Sequence, residues 1–338
     1  MKRNKTYIIA EAGINHNGCM ETAHKMIDTA FACGCNAIKF QTFKTESLVT
    51  SYAGKADYQE NASLPGETQF DMLKKYELGL PQHKELIEHC RKIHLDFISS
   101  PFDLESIDLL LSLGIEKLKI PSGEIDNVPL LRKIAGSDKE IILSTGMATL
   151  EEVKNAVSII ERQRKNASLK LIILHCITEY PAPFEHLNLL CIQTLKKAFL
   201  YTVGFSDHSP GIEAPIAAVA LGAEVVEKHF TLDKDMDGPD HKASLEPEEL
   251  KRMVTSIRKI EKALGDGVKQ PTPAENKIGL AVKKSIFAKK KIKRGDRLTE
   301  ENITTKRPAG GISPLKWDEI IGRKANRDYE INDQIVDE

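Results

Sequence analysis

The chain has 338 residues, 48 of them basic and 49 acidic, for a net charge of −1. That balance gives no bulk attraction for nucleic acid, and no apolar run approaches the roughly 18 residues a membrane span needs. The length suits one large barrel domain with a small appendage.

The chain starts MKRNKTYIIAEAG, basic and then apolar too briefly for a signal peptide, so a cytoplasmic protein is expected. Six cysteines stand at 19, 33, 35, 90, 176 and 191. Cys33 and Cys35 make C-x-C, which is neither a zinc knuckle nor a disulfide framework, and reduced thiols are expected. Cys176 ends a strand-like run, where small core filler is a better reading than pocket lining.

Strand-like runs alternate with helix-like ones along most of the sequence. The strands are TYIIAEAG, NAIKFQTF, DFISSPF, KLKIPSG, EIILSTGM, LIILHCI, YTVGFSD and AEVVEKHF. Each is short and almost continuously apolar, as a strand buried on both faces should be. Between them run METAHKMIDTAFACG, PQHKELIEHCRKIH, DLESIDLLLSLG, TLEEVKNAVSIIERQRK, LNLLCIQTLKKAF, an apolar helix from Ile212 to Leu221, and EPEELKRMVTSIRKIEKALG. Several open on an acidic or Ser/Thr cap and close at Gly. Eight such units predict a (β/α)₈ TIM barrel over 1–265. A doubly wound sheet is disfavoured, because Gly13-Ile14-Asn15-His16-Asn17-Gly18 lacks dinucleotide-loop spacing. The connection from Lys44 to Pro81 is long for a barrel and suggests a functional loop. Residues 266–281 are polar, with Gly and Pro, and are expected to be a linker. Residues 282–338 form a compact mixed-charge module with a hairpin signal at KKKIKRGD, marginal as an independent core.

Barrel active sites lie where the strands end. Those ends supply Glu11, Asn15 and His16; Lys39 and Gln41; Ser99 and Ser100; Lys119, Ser122 and Glu124; Ser144 and Thr145; Thr178 and Tyr180; then Ser206, Asp207, His208 and His229. Imidazole suits divalent transition metals, and two parallel strands joined by a crossover helix would set His208 and His229 at one end of the sheet. The loop beyond, with Asp233, Asp235, Asp237 and Asp240, could hold a cation or grip sugar hydroxyls. Lys39 and Lys119 fall inside apolar strands and, with the hydroxyls, suit a phosphate or carboxylate anion. The bland alternatives are a surface His208, a satisfied core His229, small polar filler at the serines, and a buried ion pair such as Lys119 with Glu124.

The stretches AEAGINHNG, KFQTFK, SSPFD, KIPSGE, LSTGMAT, HCITEYPAPF, GFSDHS, EKHFTLDKDMDGPDHKASLEP and KRPAGGIS together resemble the bacterial sialic acid synthase family along essentially the whole chain. The resemblance implies a barrel followed by a small antifreeze-like (SAF) domain, in a domain-swapped homodimer. It implies condensation of phosphoenolpyruvate with an N-acylated mannose-type sugar. His208 and His229 would bind a divalent metal, typically manganese, with magnesium or cobalt as substitutes. Lys39, Ser100, Lys119, Ser122, Ser144, Thr178 and Ser206 would hold phosphoenolpyruvate, and Glu11 and Glu124 would move protons or orient water. Gln41, Tyr180 and Asp240 would contact the sugar, with Arg307 reaching over from the partner. Some members carry Thr at the position of Ser100 and Asn at that of Thr178. The first expectation is N-acetylneuraminate synthesis from N-acetylmannosamine. The alternative is N,N′-diacetyllegionaminate synthesis from 2,4-diacetamido-2,4,6-trideoxymannose, since HC-x-TEYPAPF and GPDHKASLEP occur in both branches. A Schiff-base aldolase on Lys119 and a non-enzymatic sugar-binding protein are the rivals outside the family.

Overall fold

The structure is a computed structural model that describes residues 5–55, 68–166, 168 and 170–337. The chain divides into two compact units, Met1–Asp266 and Gly267–Glu338.

In the first unit, eight parallel strands close into a barrel: β1 (Tyr7–Gly13), β2 (Ala37–Thr42), β3 (Asp96–Pro101), β4 (Lys117–Ile120), β5 (Glu140–Ser144), β6 (Leu171–Cys176), β7 (Thr202–Asp207) and β8 (Val225–His229). Closure pairs β8 with β1, setting Glu11 beside His229. Around the barrel lie α1 (Met20–Ala32), α2 (Thr45–Leu48), α3 (Gln69–Lys74), α4 (Leu80–Lys92), α5 (Leu104–Ser112), α6 (Val128–Ala135), α7 (Leu150–Gln163), α8 (Cys191–Ala198), α9 (Glu213–Ala220) and α10 (Pro247–Ala263). Several of their starts are fixed by side chains that satisfy otherwise orphaned backbone donors. Asp103 accepts from Ser106 N before α5, and Thr149 and Glu152 form a reciprocal box before α7. The long connection after β2 holds α2 and α3; its residues 56–67 lie outside the described set.

Side chains on a strand alternate between faces, and this places the site. Ile9, Ala37, Ile98, Ile142 and Val225 belong to one apolar cluster, an interior plug. Two residues further along the same strands stand Glu11, Lys39, Ser100, Ser144 and Glu227, all buried. The plug therefore carries a polar layer at the strands' C-terminal ends, the usual place for a barrel's chemistry.

The second unit holds α11 (Pro273–Val282), β9 (Ser285–Ala288), β10 (Ile303–Lys306) and α12 (Trp317–Ile320). The two strands pair antiparallel, Ile303 opposite Ala288, around a core that includes Ile286, Ile292, Leu298, Ile320 and Tyr329. The basic KKKIKRGD segment lies within the long connection between them and does make a tight turn, Asp296 N donating to Lys293 O at 3.0 Å. Its flanks do not pair with each other as a hairpin would: Ile292 bridges to Tyr329 and Arg297, just beyond the segment, to Lys324. The stretch expected to be a linker carries α11, opened by a capping box of Thr272 and Glu275.

Candidate active site

A cavity of about 830 Å³ opens at the C-terminal ends of the strands. Glu11, Lys39, Gln41, Ser100, Lys119, Ser122, Glu124, Ser144, Thr178, Tyr180, Ser206, His208, His229 and Asp240 all line it. Arg307 is not among its lining residues; it stands in the second unit just after β10, joined to Pro308 by a cis peptide.

The floor is a cluster of two lysines and two carboxylates. Lys39 Nζ lies 2.8 Å from Glu11 Oε2 and donates to Ser100 Oγ at 3.1 Å. Lys119 Nζ donates to Glu227 Oε1 at 3.0 Å, and Ser206 Oγ donates to the same oxygen at 2.9 Å. Lys119 therefore has a buried ion-pair partner, but it is Glu227 and not Glu124. Glu124 sits on the short turn Ser122–Glu124 and accepts from Asn127 Nδ2 at 2.6 Å.

The four charges cancel, and their environments differ. Burial pushes the Glu11 carboxyl up, helped by Glu227 and opposed by Lys39, to about 7. Burial acts on Glu227 in the same direction, but Lys119 and Lys39 together outweigh it and hold that group down at about 2. Two carboxylates in one pocket are thus driven apart into an ionised one and a readily protonated one. Burial lowers Lys119; the same burial on Lys39 is overcome by Glu11 and Glu227, and its value rises.

Beside the floor, Gly146 N donates to Ser122 Oγ at 2.9 Å. A Cβ on Gly146 would collide with Thr178 Oγ1 and lie 2.8 Å from Ser122 Oγ. Ser144 Oγ is buried with no hydrogen-bond partner. Three hydroxyls, Ser122, Ser144 and Thr178, thus gather by the side-chain-free backbone of Gly146, a set that could donate to anionic oxygens.

The two histidines meet edge to face, ring centroids 5.4 Å apart, with Tyr180 stacked on His208 at 4.1 Å. His208 Nδ1 lies 2.6 Å from Ile177 O. A carbonyl only accepts, so Nδ1 carries the proton and Nε2 keeps its lone pair. His229 Nδ1 is buried without a hydrogen-bond partner and lies 3.9 Å from Asp240 Oδ2. Burial lowers His208 to about 4 and His229 well below the ordinary imidazole value, with the His208 imidazole adding to the effect on His229. Two neutral imidazoles, one oriented by a backbone carbonyl and one orphaned, fit a transition-metal ion. Among the described residues no group of three or more His, Cys, Asp or Glu side chains gathers to hold one. A cation held by this pair alone would keep positions open for substrate oxygens.

The acidic loop after β8 contributes one residue. Asp240 is buried at the cavity, and burial pushes it up to about 6 against the pull of Lys39. Asp233, Asp235 and Asp237 are exposed. Asn15 and His16 turn away to structural tasks: Asn15 Nδ2 donates to Phe230 O and Ser244 Oγ, and His16 Nδ1 accepts from Gly18 N. Asp207 pairs with Lys228 at 2.6 Å, both fully buried outside the cavity. Cys176 lines the cavity rather than merely filling core. The sequence reading missed Glu227. The signal was available, since it stands two residues before His229 on β8 and so shares its face.

The NeuB family model matches residues 26–269, and the SAF domain model matches residues 283–338. An N,N′-diacetyllegionaminic acid synthase of Campylobacter jejuni is 52% identical over 337 residues, 99% of each chain. One from Legionella pneumophila is 44% identical over 319 residues, 94% of this chain and 90% of that one. The crystal structure of an N-acetylneuraminic acid (sialic acid) synthetase from Leptospira borgpetersenii, in complex with citrate, superposes with a TM-score of 0.71 at 39% identity. That match covers 81% of this chain and 90% of that one. Fold and site thus define a TIM-barrel enzyme with a C-terminal SAF domain. The chain belongs to the NeuB family.

Proposed function

We propose that this enzyme condenses phosphoenolpyruvate with 2,4-diacetamido-2,4,6-trideoxymannose and water, giving N,N′-diacetyllegionaminate and phosphate. The family resemblance puts N-acetylmannosamine first, although its motifs are shared by both branches. Two legionaminic acid synthases at 52% and 44% identity, against a sialic acid synthetase at 39%, turn the reading toward the diacetamido sugar. The observation that carries the chemistry is one cavity holding two buried lysines, Lys39 and Lys119, each paired with a carboxylate, beside a neutral imidazole pair, His208 and His229.

In the reaction, C3 of phosphoenolpyruvate bonds to the sugar aldehyde carbon, water adds at C2, and phosphate leaves with C–O cleavage. Lys39 and Lys119 meet the carboxylate and phosphate, with Ser100, Ser122, Ser144, Thr178 and Ser206 supplying hydroxyls. A divalent cation on His208 and His229, manganese by family likeness, would polarise the aldehyde. Glu11, ionising near neutrality, is placed to carry the proton, and Glu227 stays ionised to hold Lys119. Gln41, Tyr180 and Asp240 face the sugar. In the same reading Arg307 serves the N-acyl group from the partner of a domain-swapped homodimer. The exposed apolar side chains of α11, Ile278 and Leu280, suit burial in such an assembly.

Offering the diacetamido sugar and N-acetylmannosamine side by side tests the proposal. We expect a higher kcat/KM for the former; a higher value for N-acetylmannosamine returns the enzyme to the neuraminate branch.

A further inference from the structure

The cavity has one apolar side. Leu48 and Val49 at the end of α2, Leu73 on α3 and Phe102 just beyond β3 line it. They pack with Ile14, Phe43 and Met72 in a small core separate from that of the barrel. The support is firm. The Glu77 carboxylate accepts from Lys44 Nζ at 2.8 Å, Thr45 N at 3.2 Å, Thr45 Oγ1 at 3.1 Å and Lys74 Nζ at 3.1 Å, tying the start of α2 to the end of α3.

Polar groups near the imidazoles share the cavity with this wall. Asp240 Oδ2 is 3.9 Å from His229 Nδ1. Asp240 Oδ2 and Gln41 Nε2 lie 3.6 and 3.4 Å from a single point, the place a Cβ would take on Gly13, so both border that glycine. Gln41 is on β2, the strand that runs on into α2. A sugar with its aldehyde at the imidazoles and its hydroxyls on Asp240 and Gln41 would extend within the same cavity that these apolar side chains line.

We propose that Leu48, Val49, Leu73 and Phe102 form the subsite for the C6 methyl group of a 6-deoxy sugar, and that this wall sets the preference over 6-hydroxylated sugars. The inference rests on the reading above and adds the residues that choose the substrate. A C6 hydroxyl pressed against these side chains loses its water partners and gains none. An apolar site rejects an added hydroxyl only modestly, by at most about 10²-fold.

The probes are 2-acetamido-2,6-dideoxymannose and N-acetylmannosamine, which differ only at C6. At saturating phosphoenolpyruvate, kcat/KM should favour the deoxy sugar by roughly tenfold to a hundredfold. Val49→Thr and Leu48→Gln, which give that hydroxyl a partner, should each cut the ratio by at least about threefold while KM for phosphoenolpyruvate holds. An unchanged ratio in both folded variants, or a wild-type preference for the hydroxylated sugar, overturns the wall. If the wall alone is wrong, phosphate is still released with the diacetamido sugar. If no N-acyl sugar releases phosphate, the functional reading falls and the wall with it.

Discussion

Lys119 Nζ donates to Glu227 Oε1 at 3.0 Å, with both side chains about 4% exposed. Lys119, the lysine proposed to meet phosphoenolpyruvate, is therefore a paired cation, held in place by a carboxylate. Removing one member of such a pair leaves the other buried and uncompensated. Lys119→Met and Glu227→Gln should each lower kcat/KM for phosphoenolpyruvate, by about 100-fold for the lysine. The double variant should lose less than the two losses combined, with a coupling of about 0.5–3 kcal/mol. Steady-state kinetics on the four proteins of the cycle measure it, and full additivity would show that the pair does not act as one.

Glu11 yields a pH prediction. Burial, the largest influence, raises its carboxyl to about 7, Glu227 adds to this, and Lys39 opposes it. Glu11 is then mostly protonated below that value and ionised above it. If the protonated form serves the reaction, kcat/KM for phosphoenolpyruvate falls as pH rises through about 7. Glu11→Gln should flatten that limb at a lower rate, and a pH–rate profile of both proteins checks this. A variant that keeps the wild-type alkaline limb assigns the titration elsewhere.

Gly146 should be intolerant of any side chain. A Cβ there intrudes between Thr178 and Ser122 and displaces their hydroxyls. Gly146→Ala should raise KM for phosphoenolpyruvate by at least about tenfold, while the sugar KM stays within about twofold. Comparable rises in both constants would mean general damage to the barrel mouth.

Glu77 supports the apolar wall proposed to meet the sugar. Desolvation opposes its charge, but Lys44, Thr45 and Lys74 more than compensate and hold the carboxyl at about 2. Its folded value lies below the unfolded one, so its stabilisation is full above the unfolded value and is lost as pH falls toward about 2. Glu77→Ala should lower Tm at pH 7, lower it less at pH 3, and raise the KM of the sugar more than that of phosphoenolpyruvate. Thermal melts at the two pH values together with both KM measurements test the link.

The barrel was legible because its strands are buried on both faces and so read as apolar runs such as EIILS and LIILHC. The site was legible because polar residues inside those runs, Lys39 and Lys119 above all, are out of place unless paired or functional. Glu227 was less legible because the lysines around it, Lys119 and Lys39, come from strands distant in sequence, although strand alternation sets it on the face of His229. Lys119 was weighed against Glu124, close in sequence, whereas closure of the barrel brings it Glu227 from β8. The helix Pro273–Val282 was hidden by polar composition, yet Thr272 and Glu275 spell a capping box. The apolar wall could not be read at all, since Leu73 and Phe102 meet only through tertiary packing.

Phosphate release from phosphoenolpyruvate, with the diacetamido sugar present and the enzyme first stripped by EDTA, tests the central claim most directly. Release should vanish after stripping, return with manganese, and fail to return in His208→Ala. Release that survives EDTA, with sodium borohydride trapping the three-carbon unit on Lys119, would contradict the account and establish Schiff-base chemistry in its place.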